Sequence, residues 1–342
     1  MAEINAENRK KDHIELALQS QLREASNDKR FYYEPVLSSH GKPFPQAKNF
    51  LGKHLRLPVW ISSMTGGTEL AGKINKNLAR ACNEFGMGMG LGSCRSLLES
   101  DKHFEDFNLR PIIGNELPFF ANLGIAQVEK ILVENNISAI QRMIEKLQAD
   151  GLIIHINPLQ EFLQPEGDRF QHAPIETIKK ILGLVSFPII VKEVGQGLGP
   201  ESVRALLQLP IAALDFGAYG GTNFSKVELL RSSETRTSAF ESLSYIGHTA
   251  AEMTDFVLQL TYNGGENIHC REIIVSGGVK SFLDGYYFTK QIENNSEANM
   301  KAIYGQGSSF LKYAQNNYTE LKTYIESQRE GLALCEAYLK CR

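Results

Sequence analysis

The sequence predicts a single (β/α)8 barrel, that is, a TIM barrel, with an added segment at each end. Eight short apolar runs bounded by turn residues recur along the chain, at 58–62, 86–91, 118–123, 152–157, 188–194, 211–216, 271–276 and 301–306. Several, such as Leu152-Ile153-Ile154-His155-Ile156 and Ile189-Ile190-Val191, are nearly continuous rather than alternating, as strands buried on both faces of a parallel sheet are. Between them lie stretches of helical spacing: 70–85, with Leu70, Ile74, Leu78, Ala81 and Phe85 on one face, then 137–147, 175–184, 201–207 and 249–260. Eight such strands alternating with helices suggest a closed barrel. A doubly wound sheet is the runner-up, but Gly86-Met87-Gly88-Met89-Gly90-Leu91-Gly92 does not match the spacing of a dinucleotide loop.

Composition narrows the function. A chain of 342 residues fits two ordinary domains or one α/β barrel. The charges nearly balance, 36 Lys+Arg against 39 Asp+Glu, which argues against electrostatic binding to nucleic acid or an anionic membrane. No apolar run approaches the length of a membrane helix. Residues 1–30 are polar and lack the apolar core of a secretory signal, so a cytoplasmic protein is expected. The five cysteines, Cys82, Cys94, Cys270, Cys335 and Cys341, form no CxxC pair and read as free thiols.

Residues 1–50 read as an N-terminal extension contributing to the substrate site. They carry an amphipathic helix (Ile14, Leu16, Leu18, Leu22) and then a Pro/Gly/Ser-rich stretch, 35–45. Residues 51–312 read as the barrel and 313–342 as one or two long helices packed on it. The Ser/Thr/Gly-rich segment 218–247 reads as a long insertion after the sixth strand.

Chemistry in such barrels sits at the C-terminal ends of the strands. The first run ends in Ser62-Ser63-Met64-Thr65-Gly66-Gly67, small residues that let a flat ligand approach the backbone. The second ends in Gly92-Ser93-Cys94-Arg95 and the third in Asn122-Leu123-Gly124. The fourth delivers His155 and Asn157 on one face, with Gln160 and Glu161 just beyond Pro158. That cluster offers phosphate donors, a neutral amide and one carboxylate, the set that suits Mg²⁺ shared with substrate phosphate oxygens. Taken singly, each residue is better read as a satisfied core histidine or a helix-capping glutamate.

Lys192 ends a run too apolar to leave it exposed. A buried ammonium needs an anion or acceptor, either the electron-rich edge of a flavin or a neighbouring carboxylate such as Asp215. Gly277-Gly278 and Gly307-Ser308 follow the last two strands, where barrels commonly bind phosphate. Either pair alone fits a plain tight turn, and the two together favour phosphate. Arg9-Lys10-Lys11-Asp12-His13 is a solvated helix face or a phosphate clamp over the mouth.

Together these strings resemble the FMN-dependent type 2 isopentenyl-diphosphate isomerases of isoprenoid biosynthesis. The resemblance runs from Arg9-Lys10-Lys11-Asp12-His13 through Ser63-Met64-Thr65-Gly66-Gly67, Gly92-Ser93-Cys94-Arg95 and Ala121-Asn122-Leu123-Gly124. It continues through His155-Ile156-Asn157-Pro158-Leu159-Gln160-Glu161, Val191-Lys192-Glu193-Val194-Gly195, Gly220-Gly221-Thr222 and Ser276-Gly277-Gly278-Val279. It weakens after about residue 223.

The resemblance implies interconversion of isopentenyl and dimethylallyl diphosphate, with reduced FMN as acid and base, Mg²⁺ on the diphosphate and NADPH as activating reductant. It implies substrate binding by Arg9, Lys10, Ser93, Cys94, Arg95, His155 and Gln160, catalytic roles for Gln160, His155 and Asn157, and Glu161 on the metal. FMN would be held by Ser63, Met64, Thr65, Ser93, Asn122, Lys192, Thr222, Gly277, Gly278, Gly307 and Ser308. A homo-oligomer, tetramer or octamer, is likewise implied. The chain departs from the family pattern at Tyr219, which adds bulk where glycine is usual, at Phe224 and at Lys280.

The alternative is an FMN-dependent 2-hydroxy-acid oxidase or dehydrogenase. That chemistry needs a histidine base and an arginine after the late strands, and neither His248 nor His269 lies in such a string. A barrel that binds a flavin without turnover would have no need of a metal carboxylate at Glu161.

Overall fold

The computed structural model describes residues 6–40, 42–63, 66–262 and 267–342. Its strands are β1 (Phe31–Tyr33), β2 (Lys48–Phe50), β3 (Lys53–Leu55), β4 (Val59–Ile61), β5 (Gly88–Gly90), β6 (Phe119–Gly124), β7 (Gly151–Ile156), β8 (Ile189–Glu193), β9 (Ala213–Asp215), β10 (Glu272–Ser276), β11 (Lys301–Gln306) and β12 (Leu339–Cys341). Strands β4 to β11 pair in parallel in chain order, and β11 returns to β4 to close the barrel. Each of the eight apolar runs falls on one barrel strand.

The glycine-rich run 86–92 forms β5 for a steric reason. Trp60 of β4 is fully buried and lies beside it. A Cβ on Gly88 would come within 2.5 Å of the indole, and one on Gly90 within 2.5 Å of Ile153. The glycines make room for the largest side chain of the barrel interior, which meets Phe120 edge-on at 6.1 Å. Truncating such a residue typically costs about 3–5 kcal/mol.

The helix Glu69–Phe85 begins at Thr68, whose Oγ1 accepts the Ala71 N–H, and ends at Gly86 in the left-handed conformation. Ile74, Leu78, Ala81 and Phe85 are buried as expected. Leu70, in the first turn, is 60% exposed instead. The expected helices recur as Ile137–Leu147, Pro174–Leu182, Pro200–Leu207 and Ala250–Thr261.

Three expectations about the added segments are corrected. The N-terminal helix is Ala6–Leu16, and residues 8–29 are exposed throughout, so Ile14, Leu16, Leu18 and Leu22 form no packed apolar face. The chain closes on the helices Ser308–Ala314 and Tyr318–Tyr338 and then on a strand: β12 pairs antiparallel with β1. The segment 218–247 folds into the helices Phe224–Leu230 and Glu234–Phe240 and a 3₁₀ turn, Glu241–Tyr245, with Asn223 and Ser233 as caps.

The β2–β3 hairpin sits at the strand starts, where Lys53 bonds Asp150 at 2.6 Å and Lys48 bonds Glu293 at 2.6 Å. The opposite end is left open. Among the described residues, no helix is long and apolar enough to cross a membrane.

Candidate active site

At the open end, strand register sets the chemistry. His155 of β7 pairs with Lys192 of β8, and Lys192 with Asp215 of β9, so three ionisable groups stand in one row. Lys192 is buried and its Nζ donates to the Glu193 carbonyl at 2.7 Å. It makes no direct ion pair with Asp215 within 4 Å, so the carboxylate acts on it only at longer range, and Lys192 lines the cleft. Asp215 accepts a short hydrogen bond from Ser276 Oγ. Burial pushes the Asp215 carboxyl up, opposed by Lys192.

His155 is held as a neutral imidazole. Burial and the adjacent Lys192 charge push it down to about 3. Asn122 fixes its tautomer: Nδ2 of that amide donates to the Leu91 carbonyl at 2.9 Å, so Oδ1 accepts from His155 Nδ1 at 2.9 Å. Nε2 is left with a lone pair beside Gly124, where a Cβ would come within 2.9 Å.

The cleft beyond Lys192 is lined by Ser63, Thr222, Gly277, Gly278, Gly307 and Ser308, all read from the sequence as cofactor residues. Gly277 (φ 81°) and Gly278 (φ 69°) require glycine, since a Cβ on Gly277 would sit 2.1 Å from the Ala218 carbonyl oxygen. Ser62 and Ser63 also present buried hydroxyls that find no partner among the described residues. Turned-up backbone, orphaned hydroxyls and one buried cation form a cradle suited to a phosphorylated, electron-rich ring. Met64 and Thr65 lie outside the described residues.

Beside the cradle, Asn157 Nδ2 donates to Gln160 Oε1 and Glu161 Oε1, each at 3.1 Å. Glu161 is buried and its Oε2 accepts the Asp168 N–H at 2.7 Å. Among the described residues no three His, Cys, Asp or Glu side chains gather around one point as a metal cage. A carboxylate keeps lone pairs beyond two accepted N–H groups, so Glu161 fits a metal completed by ligand oxygens and water.

The other sequence-derived residues are spread out. Cys94 is fully buried, with its N–H on the Asn122 carbonyl and Sγ facing Gly92 O; burial pushes its thiol up to about 12. Ser93 and Arg95 are exposed on the same loop. Arg9 and Lys10 lie on the exposed N-terminal helix and bond no other described residue. The ring of Tyr219 turns away from the cleft toward Gly247, whereas Phe224 and Lys280 line it. His248 and His269 do not line it.

Sequence reading missed Glu228, whose Oε1 accepts from Gln160 Nε2 at 3.3 Å while Oε2 pairs with Arg231 at 2.5 Å. Its helix lies in the segment read as an insertion, and no spacing signal links residues 68 apart. Asp215 was legible only as a possible partner of Lys192.

Fold and mouth together define a (β/α)8-barrel protein with a glycine-lined cleft beside a polar, side-chain-built pocket. No family model matches the chain. It is 33% identical over 330 residues to the isopentenyl-diphosphate delta-isomerase of Rickettsia felis, covering 95% of this chain and 90% of that protein. It is 33% identical over 331 residues to the isopentenyl-diphosphate delta-isomerase of Rickettsia typhi, covering 96% and 92%. The chain belongs to the isopentenyl-diphosphate delta-isomerase family.

Among solved structures, a mutant flavocytochrome b2 with pyruvate bound shares the fold at a TM-score of 0.60 and 15% identity, over 90% of this chain and 72% of that one. A mandelate oxidase mutant with a monooxide FMN adduct does so at 0.55 and 13%, over 92% and 89%.

Proposed function

We propose that the protein interconverts isopentenyl diphosphate and dimethylallyl diphosphate, with reduced FMN in the cradle and Mg²⁺ on the diphosphate. The observation that carries this reading is the pairing of a glycine-lined cleft, floored by the buried Lys192, with a neighbouring cluster in which Asn157 holds both Gln160 and Glu161. Reduced FMN, when bound, supplies the acid and base for proton addition and removal at the allylic carbons.

The chain's own residues bind and orient. Lys192 holds negative charge at the edge of the ring, as a buried ammonium with donors to spare must. Ser63, Thr222 and the Gly277–Gly278 and Gly307–Ser308 turns hold the ring and its phosphate, with Ser93, Asn122, Met64 and Thr65 completing the set. Gln160, held by Asn157 and Glu228, lies beside the hydrocarbon and adds no competing charge. Glu161 holds Mg²⁺ against the diphosphate.

Arg95, His155 and the Ser93–Cys94 loop receive the diphosphate, and Arg9 and Lys10 close over it. Reach supports this clamp. Arg30 is fixed to Asp284 at 2.9 Å, one turn from the Gly277–Gly278 loop. With Arg9–Leu16 helical and the rest extended, the segment from Arg9 to Arg30 spans at most about 55–60 Å.

NADPH serves as the activating reductant, and the working form is a cytoplasmic homo-oligomer, tetramer or octamer. The test is anaerobic: protein with FMN reduced by dithionite, Mg²⁺ and isopentenyl diphosphate. Dimethylallyl diphosphate forming only with reduced flavin is the expected result. Tight flavin binding without isomerisation overturns the reading.

A further inference from the structure

The segment after the helix Pro158–Leu163 carries an aspartate to which the function above gives no part. Oδ2 of Asp168 accepts from Arg95 Nη1 at 2.9 Å and from Gln127 Nε2 at 2.9 Å. Its backbone N–H donates to Glu161 Oε2 at 2.7 Å. One residue therefore joins the loop after β5, the helix after β6 and the carboxylate after β7.

The segment that carries it is fastened on both flanks. Arg169 Nη1 donates to the Glu161 carbonyl at 2.6 Å and Nη2 to the Phe162 carbonyl at 3.2 Å. On the other side the N–H groups of Gln171 and His172 bond the Glu129 carboxylate, as does His172 Nδ1 at 2.5 Å. A Cβ on Gly167 would lie 2.0 Å from the Glu161 carbonyl oxygen, so the chain runs tight against the helix end.

We infer that Asp168 is a positioning residue that holds the Arg95 guanidinium in register with Glu161, so that both meet one diphosphate. This rests on the proposed function, which places a diphosphate there. Among the described residues only Nη1 of Arg95 is bonded, and its other N–H groups stay available to phosphate oxygens. The side chain is about half exposed. A free arginine gives up much rotamer freedom on gripping an anion, and a tether made beforehand removes that cost from binding. An exposed pair adds little to fold stability, so the effect belongs to substrate binding. Gln127 fixes the carboxylate from the side and keeps it aimed at Arg95.

The experiment compares the FMN-loaded wild type with Asp168→Ala, Asp168→Asn, Asp168→Glu, Arg95→Ala and the Arg95→Ala/Asp168→Ala double variant. Asp168→Ala keeps the backbone N–H on Glu161 and removes the carboxylate that bonds Arg95 and Gln127. It is expected to raise KM for isopentenyl diphosphate about tenfold, the scale of one immobilised side chain. The inhibition constant of inorganic pyrophosphate should rise by the same factor, with kcat and flavin retention unchanged. Asp168→Glu should recover part of the loss, and in the Arg95→Ala background Asp168→Ala should add nothing. Unchanged KM in Asp168→Ala, or an equal rise in the Arg95→Ala background, overturns the assignment. If Asp168→Ala fails to fold, Asp168→Asn decides in its place. A wild type that does not isomerise breaks the functional reading instead, and calorimetry of pyrophosphate on wild type and Asp168→Ala then still tests the tether.

Discussion

The two halves of the mouth are built from different materials. After β10 the cleft is made of backbone: Gly277 and Gly278 line it in left-handed conformations and carry no side chain that could be exchanged. At β6 and β7 the mouth is made of side chains held by other side chains, from Asn122 on His155 to Asn157 on Gln160 and Glu161. The backbone half fails when any atom is added. The side-chain half fails when a partner is removed, and it fails one function at a time.

The largest effect is expected at Gly277→Ala, which combines a strained φ with a contact on the Ala218 carbonyl. Flavin affinity should drop by on the order of a hundredfold or more, consistent with several kcal/mol of strain and displaced backbone. Fluorescence titration of FMN checks this, and tight binding by the variant would show that the cradle tolerates a side chain. Glu161→Gln should leave flavin binding intact but abolish the Mg²⁺ requirement together with activity. A variant that turns over normally and still needs Mg²⁺ removes Glu161 from the metal.

Deleting residues 1–12 should raise KM for isopentenyl diphosphate about tenfold, the loss expected for one or two charge-assisted contacts. Flavin affinity should not move, because none of the described residues of that arm lines the cleft. Equal losses in both would place the arm elsewhere.

A last effect, of similar size, concerns His155 and is read as stability. Its folded pKa of about 3 lies below the value of 6.5 it has when unfolded. The unfolded chain therefore binds the extra proton first, and stability falls as pH drops below 6.5. Between pH 7 and pH 5 this costs about 2 kcal/mol. Denaturant midpoints for wild type and His155→Gln at both pH values measure it, and the variant should show the shallower dependence. Parallel slopes would mean that the imidazole is already charged in the fold.

The same contrast explains what was legible in the sequence. Strands buried on both faces must be apolar, so all eight announced themselves, and Lys192 stood out as a charge inside such a run. Glycine pairs at the strand ends were visible because only glycine fits a left-handed turn in contact with a carbonyl. Partnerships were not visible. Glu228 reaches Gln160, and Asp168 reaches Arg95, across distances set by barrel closure and not by local spacing. The strand β12 escaped because three residues carry no periodicity and its partner β1 lies at the other end of the chain. Ile14, Leu18 and Leu22 misled for the opposite reason: their spacing of four is helical, but they stay exposed.

Trp60, the core residue that forced glycine into β5, is the one tryptophan of the chain. Ser63 lines the cleft, and both its hydroxyl and the indole approach the same point on Gly90, within 2.8 Å and 3.4 Å of where a Cβ would stand. The tryptophan fluorescence of the protein, excited apart from that of the tyrosines, therefore arises from a single buried site close to the cleft. An isoalloxazine ring arriving there would take up that emission by energy transfer, so the molecule carries its own optical reporter of cofactor loading, free of any label.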